Sequence, residues 1–114
     1  MASIDYSGVV GAVAEGKRVL DVRTREEFLA GRIPGSVNVP LAEMDDAMSL
    51  SSDAFATKYG GEKPVKDAGV VVSCKMGGRA ARAGDKLGLM GFEKILVYSG
   101  SFLDWEKNGG AIEK

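Results

Sequence analysis

"VVVSCKMGGRAARAG", residues 70–84, is the stretch from which the rest of the chain can be read. With Gly69 in front of it, "GVVVSC" (69–74) is apolar at alternate and intervening positions alike. A strand buried on both faces belongs to a parallel sheet covered by helices. Downstream, "RAARAGDKLGLMG" (79–91) sets Ala80, Ala83, Leu87 and Met90 at helical spacing and stops at Gly91. The stretch therefore reads as strand, tight loop and helix. In open α/β sheets ligands bind beyond the carboxyl ends of the strands. Cys74, the only cysteine, falls there.

Working outward, similar short apolar runs recur. "RVLDVR" (18–23) predicts a second strand, and "SVNVP" (36–40) and "KILVYSG" (94–100) predict two more. Helices fill the intervals. "TREEFLAG" (24–31) has Thr24 as N-cap, Glu27 three residues on to complete a capping box, and Gly31 as a stop. "SGVVGAVAEG" (7–16), "AEMDDAMS" (42–49) and "SSDAFATKYGG" (51–61) predict further helices. Strands alternating with helices indicate an α/β architecture with a mostly parallel sheet. The 114 residues fit one domain, taken as 1–114, and no repeat or linker divides them.

Composition removes several chemistries. There is no histidine, which excludes a Ser-His-Asp triad, a Cys-His pair and any His metal ligand. A single cysteine makes neither an internal disulfide nor a thiolate zinc site, and favours a reducing compartment. The formal net charge of −1 gives no global field for nucleic acid or membrane. "MASIDYSGVVGAVAEG" has no basic region before an apolar run, so it does not read as a signal peptide. A cytoplasmic protein is expected, with an organelle left open. No metal or cofactor is expected. The acidic cluster Glu43, Asp45 and Asp46 reads as a solvated helix face, not a cation site.

The loop carries the functional signal. Gly77 and Gly78 can take positive φ and present backbone N–H groups with no Cβ in the way. Successive inward N–H groups form an anion nest, and the positive end of the following helix points the same way. Lys75, Arg79 and Arg82 add full charges. A cysteine in such surroundings falls from a pKa of about 8.5 to roughly 3.5–7.5, so it needs no histidine base. The bland alternative is a packed cysteine, since free Cys is among the most buried residue types. The two glycines and the basic residues weigh against it, because a merely packed cysteine does not need a donor-lined turn.

At these residues the sequence resembles the rhodanese (thiosulfate sulfurtransferase) family. The active loop of that family, C-x-x-G-x-R, is matched by Cys74, Gly77 and Arg79. "VLDVRTREEF", "AGRIPGSVNVP" and "GFEKILVYSGSFLDWEKNGGAIE" resemble three further signatures, in the family's order and over nearly the whole chain. The match is to single-domain members, since two-domain rhodaneses need about twice this length. Arg32 stands where the family carries His, and Ser101 stands where it carries the second Gly of the closing signature.

The resemblance implies a three-layer fold with a central, mostly parallel five-stranded sheet flanked by helices on both faces. It implies that the Cys74 thiolate takes sulfane sulfur from thiosulfate or a related donor and passes it to cyanide or a thiol such as glutathione or thioredoxin. The loop residues Lys75, Met76, Gly77, Gly78 and Arg79 would bind substrate, with N–H groups on the sulfur and Lys75 and Arg79 attracting the donor dianion. Asp21 and Arg23 would brace the site, or form only a structural strand end. Met76 lines the mouth or fills space, while Trp105 and Phe102 read as core or pocket wall. A monomer or weak dimer is expected. Two other classes remain open. A cysteine phosphatase or arsenate reductase on the same fold needs C-x5-R, whereas Cys74 and Arg79 are separated by four residues. A persulfide carrier or binding module is the third reading.

Overall fold

The structure is a computed structural model and describes residues 1–114. In chain order the elements are β1 (Ala2–Ser3), α1 (Tyr6–Ala14), β2 (Arg18–Asp21), α2 (Arg25–Ala30) and β3 (Val37–Asn38). A 3₁₀ turn (Leu41–Glu43) runs into α3 (Met44–Ser49). Then come α4 (Ser52–Tyr59), β4 (Val70–Ser73), α5 (Gly78–Leu89), β5 (Ile95–Val97) and α6 (Ser101–Lys107). The five strands lie in the order β1-β5-β4-β2-β3, and every neighbouring pair is parallel.

The valine run explains the layering. Successive strand side chains point to opposite faces. Val70 and Val72 enter one apolar cluster with Leu20, Met44, Phe55, Ala83 and Leu87, beneath α3, α4 and α5. Val71 enters the other with Val9, Val19, Tyr98, Phe102 and Trp105, beneath α1 and α6. All four residues of β4 are buried, so this central strand is apolar throughout rather than alternating. Burying each such Val or Leu contributes on the order of 1.5–3 kcal/mol, and β4 is thereby fixed tightly enough to set the position of the residue after it.

The predicted elements form, with trimmed ends. Strand 36–40 narrows to Val37–Asn38, where Pro40, which has no N–H, leads into the 3₁₀ turn. Strand 94–100 ends at Val97, because Tyr98–Gly100 bends toward α6. The capping box forms: Thr24 Oγ1 accepts from the Glu27 N–H and the Glu27 carboxylate accepts from the Thr24 N–H. Two elements went unread, β1 and α6. The acidic cluster does not converge: Glu43 accepts from the Tyr59 hydroxyl at 2.8 Å, and Asp45 pairs with Lys86 at 3.1 Å.

Candidate active site

Cys74 follows the last residue of β4 and sits at the carboxyl edge of the sheet, at the centre of its strand order. Its backbone is held at both ends. The Cys74 N–H donates to Ser101 Oγ at 3.0 Å, and the Cys74 carbonyl accepts from the Phe102 N–H at 2.9 Å. The Lys75 carbonyl accepts from the Leu103 N–H at 3.1 Å. The first turn of α6 therefore clamps the start of the loop.

The loop then turns back over the sulfur. The Gly77 N–H donates to Cys74 Sγ at 3.0 Å. Gly77 has φ +107°, and a Cβ built on it would lie 2.3 Å from the Ser99 carbonyl oxygen. Only glycine fits this turn, for reasons of both dihedral and space. α5 begins at Gly78 and aims its N-terminal N–H groups at the thiol. Burial pushes the Cys74 thiol up, but the Ala80 N–H, the Ser101 hydroxyl and the N–H groups of Gly77 and Met76 outweigh it and hold the pKa below the ordinary thiol value. Cys74 is almost wholly enclosed, yet the shell around its sulfur is made of donors. This separates it from a merely packed cysteine.

The charged residues divide into two kinds. Arg79 is not a free cation: it makes a two-pronged ion pair with Glu27 of α2, at 2.7 and 3.1 Å. The Arg79 hydrogen bond is the main reason the Glu27 carboxyl is lowered to about 2. Glu27, read in the sequence only as a capping residue, thus ties α2 to the Cys74 loop. Lys75 and Met76 are exposed, and Lys75 forms no ion pair. Arg82 is exposed on α5.

Asp21 and Arg23 form a buried pair at the end of β2, 2.7 Å apart at the closest approach. Arg23 also donates to the Gly31 carbonyl at 2.8 Å and lies 4.4 Å over the Phe102 ring. The Asn38 side-chain amide donates to the carbonyls of Asp21 and Arg23, locking β3 to the same strand end. Phe102 and Trp105 are core residues. Phe102 also walls a cleft of about 260 Å³ beside the loop, together with Arg23, Glu27, Gly31, Lys75 and Glu106. A larger cleft of about 470 Å³ includes Asp45, Met48, Lys66, Met90 and Phe92. Lys66 and Phe92 precede β4 and β5, so it lies at the amino ends of the strands, away from Cys74.

Ser101 is the residue that sequence reading missed. It appeared only as a departure from a glycine signature, whereas in the fold it touches both the amide and the sulfur of Cys74. Its signal was that substitution itself.

Fold and site together define an α/β protein whose cysteine is seated in a donor-lined loop before a helix. The family model of the rhodanese-like domain matches residues 9–108, and the chain belongs to that family. It is 37% identical over 95 residues to the human thiosulfate:glutathione sulfurtransferase, covering 82% of this chain and 83% of that protein. It is 41% identical over 87 residues to a Schizosaccharomyces pombe protein whose name places it in the mitochondrion, covering 76% of this chain and 61% of that protein. Among solved structures it is similar to a human single-domain sulfurtransferase, with a TM-score of 0.88 at 31% identity, covering 94% of this chain and 96% of that one. No helix is long and apolar enough to cross a membrane.

Proposed function

We propose that this chain is a sulfurtransferase that moves sulfane sulfur from thiosulfate, through a persulfide on Cys74, to a thiol acceptor. The observation that carries the reading is the sulfur of Cys74 enclosed by N–H donors at the start of α5. In the first step the thiolate attacks the outer sulfur of thiosulfate. A Cys74–sulfur bond forms, the sulfur–sulfur bond of the donor breaks, and sulfite leaves with the electron pair. In the second step an acceptor thiolate attacks the outer sulfur of the persulfide and Cys74 departs as thiolate. Charge balances in both steps, and no cofactor or metal takes part.

The residue roles follow from their surroundings. The N–H groups of Met76, Gly77 and Ala80 stabilise the anionic sulfur, and Gly78 opens the helix. Lys75, exposed and unpaired, attracts the donor dianion. Arg79 acts chiefly as a brace, because its charge is committed to Glu27. Asp21 and Arg23 hold the end of β2 beside the loop. Glutathione is the first acceptor to examine, since a relative is named for it. A cytoplasmic location and the single-domain extent of 1–114 stand as parts of the same proposal.

Steady-state kinetics with thiosulfate against cyanide, glutathione and reduced thioredoxin test the reading, with an aryl phosphate as control. Sulfite release that depends on Cys74 and on a sulfur acceptor is expected. Cys74-dependent hydrolysis of the aryl phosphate without sulfite release would transfer the site to the phosphatase class. Four residues between Cys74 and Arg79 make a smaller ring than the five that class needs, which favours a sulfur atom over a tetrahedral phosphate.

A further inference from the structure

Ser101 is the only non-glycine residue with a positive φ, +54°, and it is completely buried. Side chains avoid this region because Cβ crowds the backbone. The glycine beside it does not serve the turn: Gly100 has φ −69°. Gly100 is needed for space instead, since a Cβ there would lie 2.5 Å from Asp104 Cβ. A serine therefore occupies the strained position itself, and strain of this kind persists where the surroundings make use of it.

The serine oxygen has three contacts. It accepts from the Cys74 N–H at 3.0 Å, lies 2.7 Å from the Tyr98 carbonyl oxygen and lies 3.7 Å from Cys74 Sγ. A hydroxyl has one proton to donate, so the carbonyl and the sulfur compete for it. The shorter contact holds the proton on Tyr98 while the sulfur is neutral. A charged acceptor forms a hydrogen bond roughly twice as strong as a neutral one, so an anionic sulfur can draw the proton over by rotation about one bond.

We propose that Ser101 is a positioning residue for Cys74, whose hydroxyl anchors the Cys74 amide and turns its one proton from the Tyr98 carbonyl to the sulfur whenever that sulfur is anionic. The role rests on Cys74 acting as a thiolate in the proposed sulfur transfer. It serves most at the delivery step, where Cys74 Sγ leaves with the electron pair of the persulfide bond. In the persulfide the negative charge sits on the outer sulfur, and the proton returns to Tyr98. The charged groups on the elements around the thiol are Lys75 and Arg79 of its own loop, the Asp21–Arg23 pair at the end of β2, Glu27 of α2, which pairs with Arg79, and Asp104 of α6, which accepts from the Tyr98 hydroxyl; the test alters none of them.

The test is the pH dependence of Cys74 alkylation by iodoacetamide in the whole chain, for wild type, Ser101→Ala and Ser101→Gly. Alkylation needs only the thiolate, so its outcome is independent of whether thiosulfate is a donor. Both variants should move the midpoint of the profile up by about one pH unit, as expected for the loss of one hydrogen bond to a charged group. Ser101→Gly removes the hydroxyl and relieves the strain, while Ser101→Ala removes the hydroxyl and keeps it. A shift in both supports the role. An unchanged profile in either variant overturns it, because both lack the hydroxyl. If Ser101→Ala does not fold, Ser101→Gly decides alone, since glycine suits the observed φ.

Discussion

Replacing Gly77 by alanine should damage the protein in two separable ways, and a second glycine gives the reference. Gly77 and Gly60 both have positive φ, +107° and +74°. At Gly60 a Cβ meets nothing within 4 Å, whereas at Gly77 it lies 2.3 Å from the Ser99 carbonyl oxygen. Ordinary contact begins at 3.4 Å, so that carbonyl or the loop must move by about 1.1 Å, the difference between those two distances. The dihedral effect alone costs about 1–2 kcal/mol, which is the whole expectation for Gly60→Ala. Forcing atoms apart in a packed region adds roughly 1–3 kcal/mol, so Gly77→Ala should lose about 3 kcal/mol. To the extent that the loop is what moves, the 3.0 Å bond from the Gly77 N–H to Cys74 Sγ lengthens and weakens. Urea unfolding reads the first effect, and the pH profile of Cys74 alkylation reads the second. The profile should move to higher pH in Gly77→Ala and stay in place in Gly60→Ala. Equal losses of stability in the two variants, with unmoved profiles, would refute the claim that Gly77 packs the loop onto the sulfur.

Two further outcomes follow from the charges. Glu27→Gln keeps a capping side chain but loses the charge facing Arg79; as both partners are about one-third exposed, the cost at neutral pH is about 1 kcal/mol or less. Because the Glu27 carboxyl is lowered from 4.5 to about 2, its contribution is complete above the upper value and disappears as pH falls to the lower one. The gap in urea midpoint between wild type and Glu27→Gln should close across that window, and a gap that persists to its acid end contradicts the assignment. Lys75→Ala should raise the KM for thiosulfate about fivefold while stability changes by less than about 0.5 kcal/mol. Added salt should lower kcat/KM more in wild type than in this variant, and equal salt dependence removes Lys75 from donor capture.

What the sequence revealed and what it hid divide along physical lines. The valine run named β4 because full burial on both faces leaves a continuous apolar signal, and the capping box named α2 because its two partners lie three residues apart. Gly77 marked the donor-lined loop because its positive φ and its close approach to Ser99 demand glycine. Gly78, expected to share that freedom, instead has no positive φ, has open space at its Cβ position and simply begins α5. β1 escaped because two residues on the sheet edge show no periodicity. α6 escaped because Gly100 offers no capping side chain and the helix opens with a serine at positive φ. The Glu27–Arg79 pair joins residues 52 apart in the chain, so local pattern could not reveal that the loop arginine is already partnered. Ser101 reaches Cys74 across 27 residues and shares that invisibility.

The central claim is that Cys74 accepts a sulfur atom. Intact-protein mass spectrometry after incubation with thiosulfate tests it most directly, with Cys74→Ser in parallel and a thiol acceptor added last. The account predicts a gain of one sulfur atom in the wild type only, removed when the acceptor is supplied. An unmodified wild-type chain, or the same gain in Cys74→Ser, would contradict it.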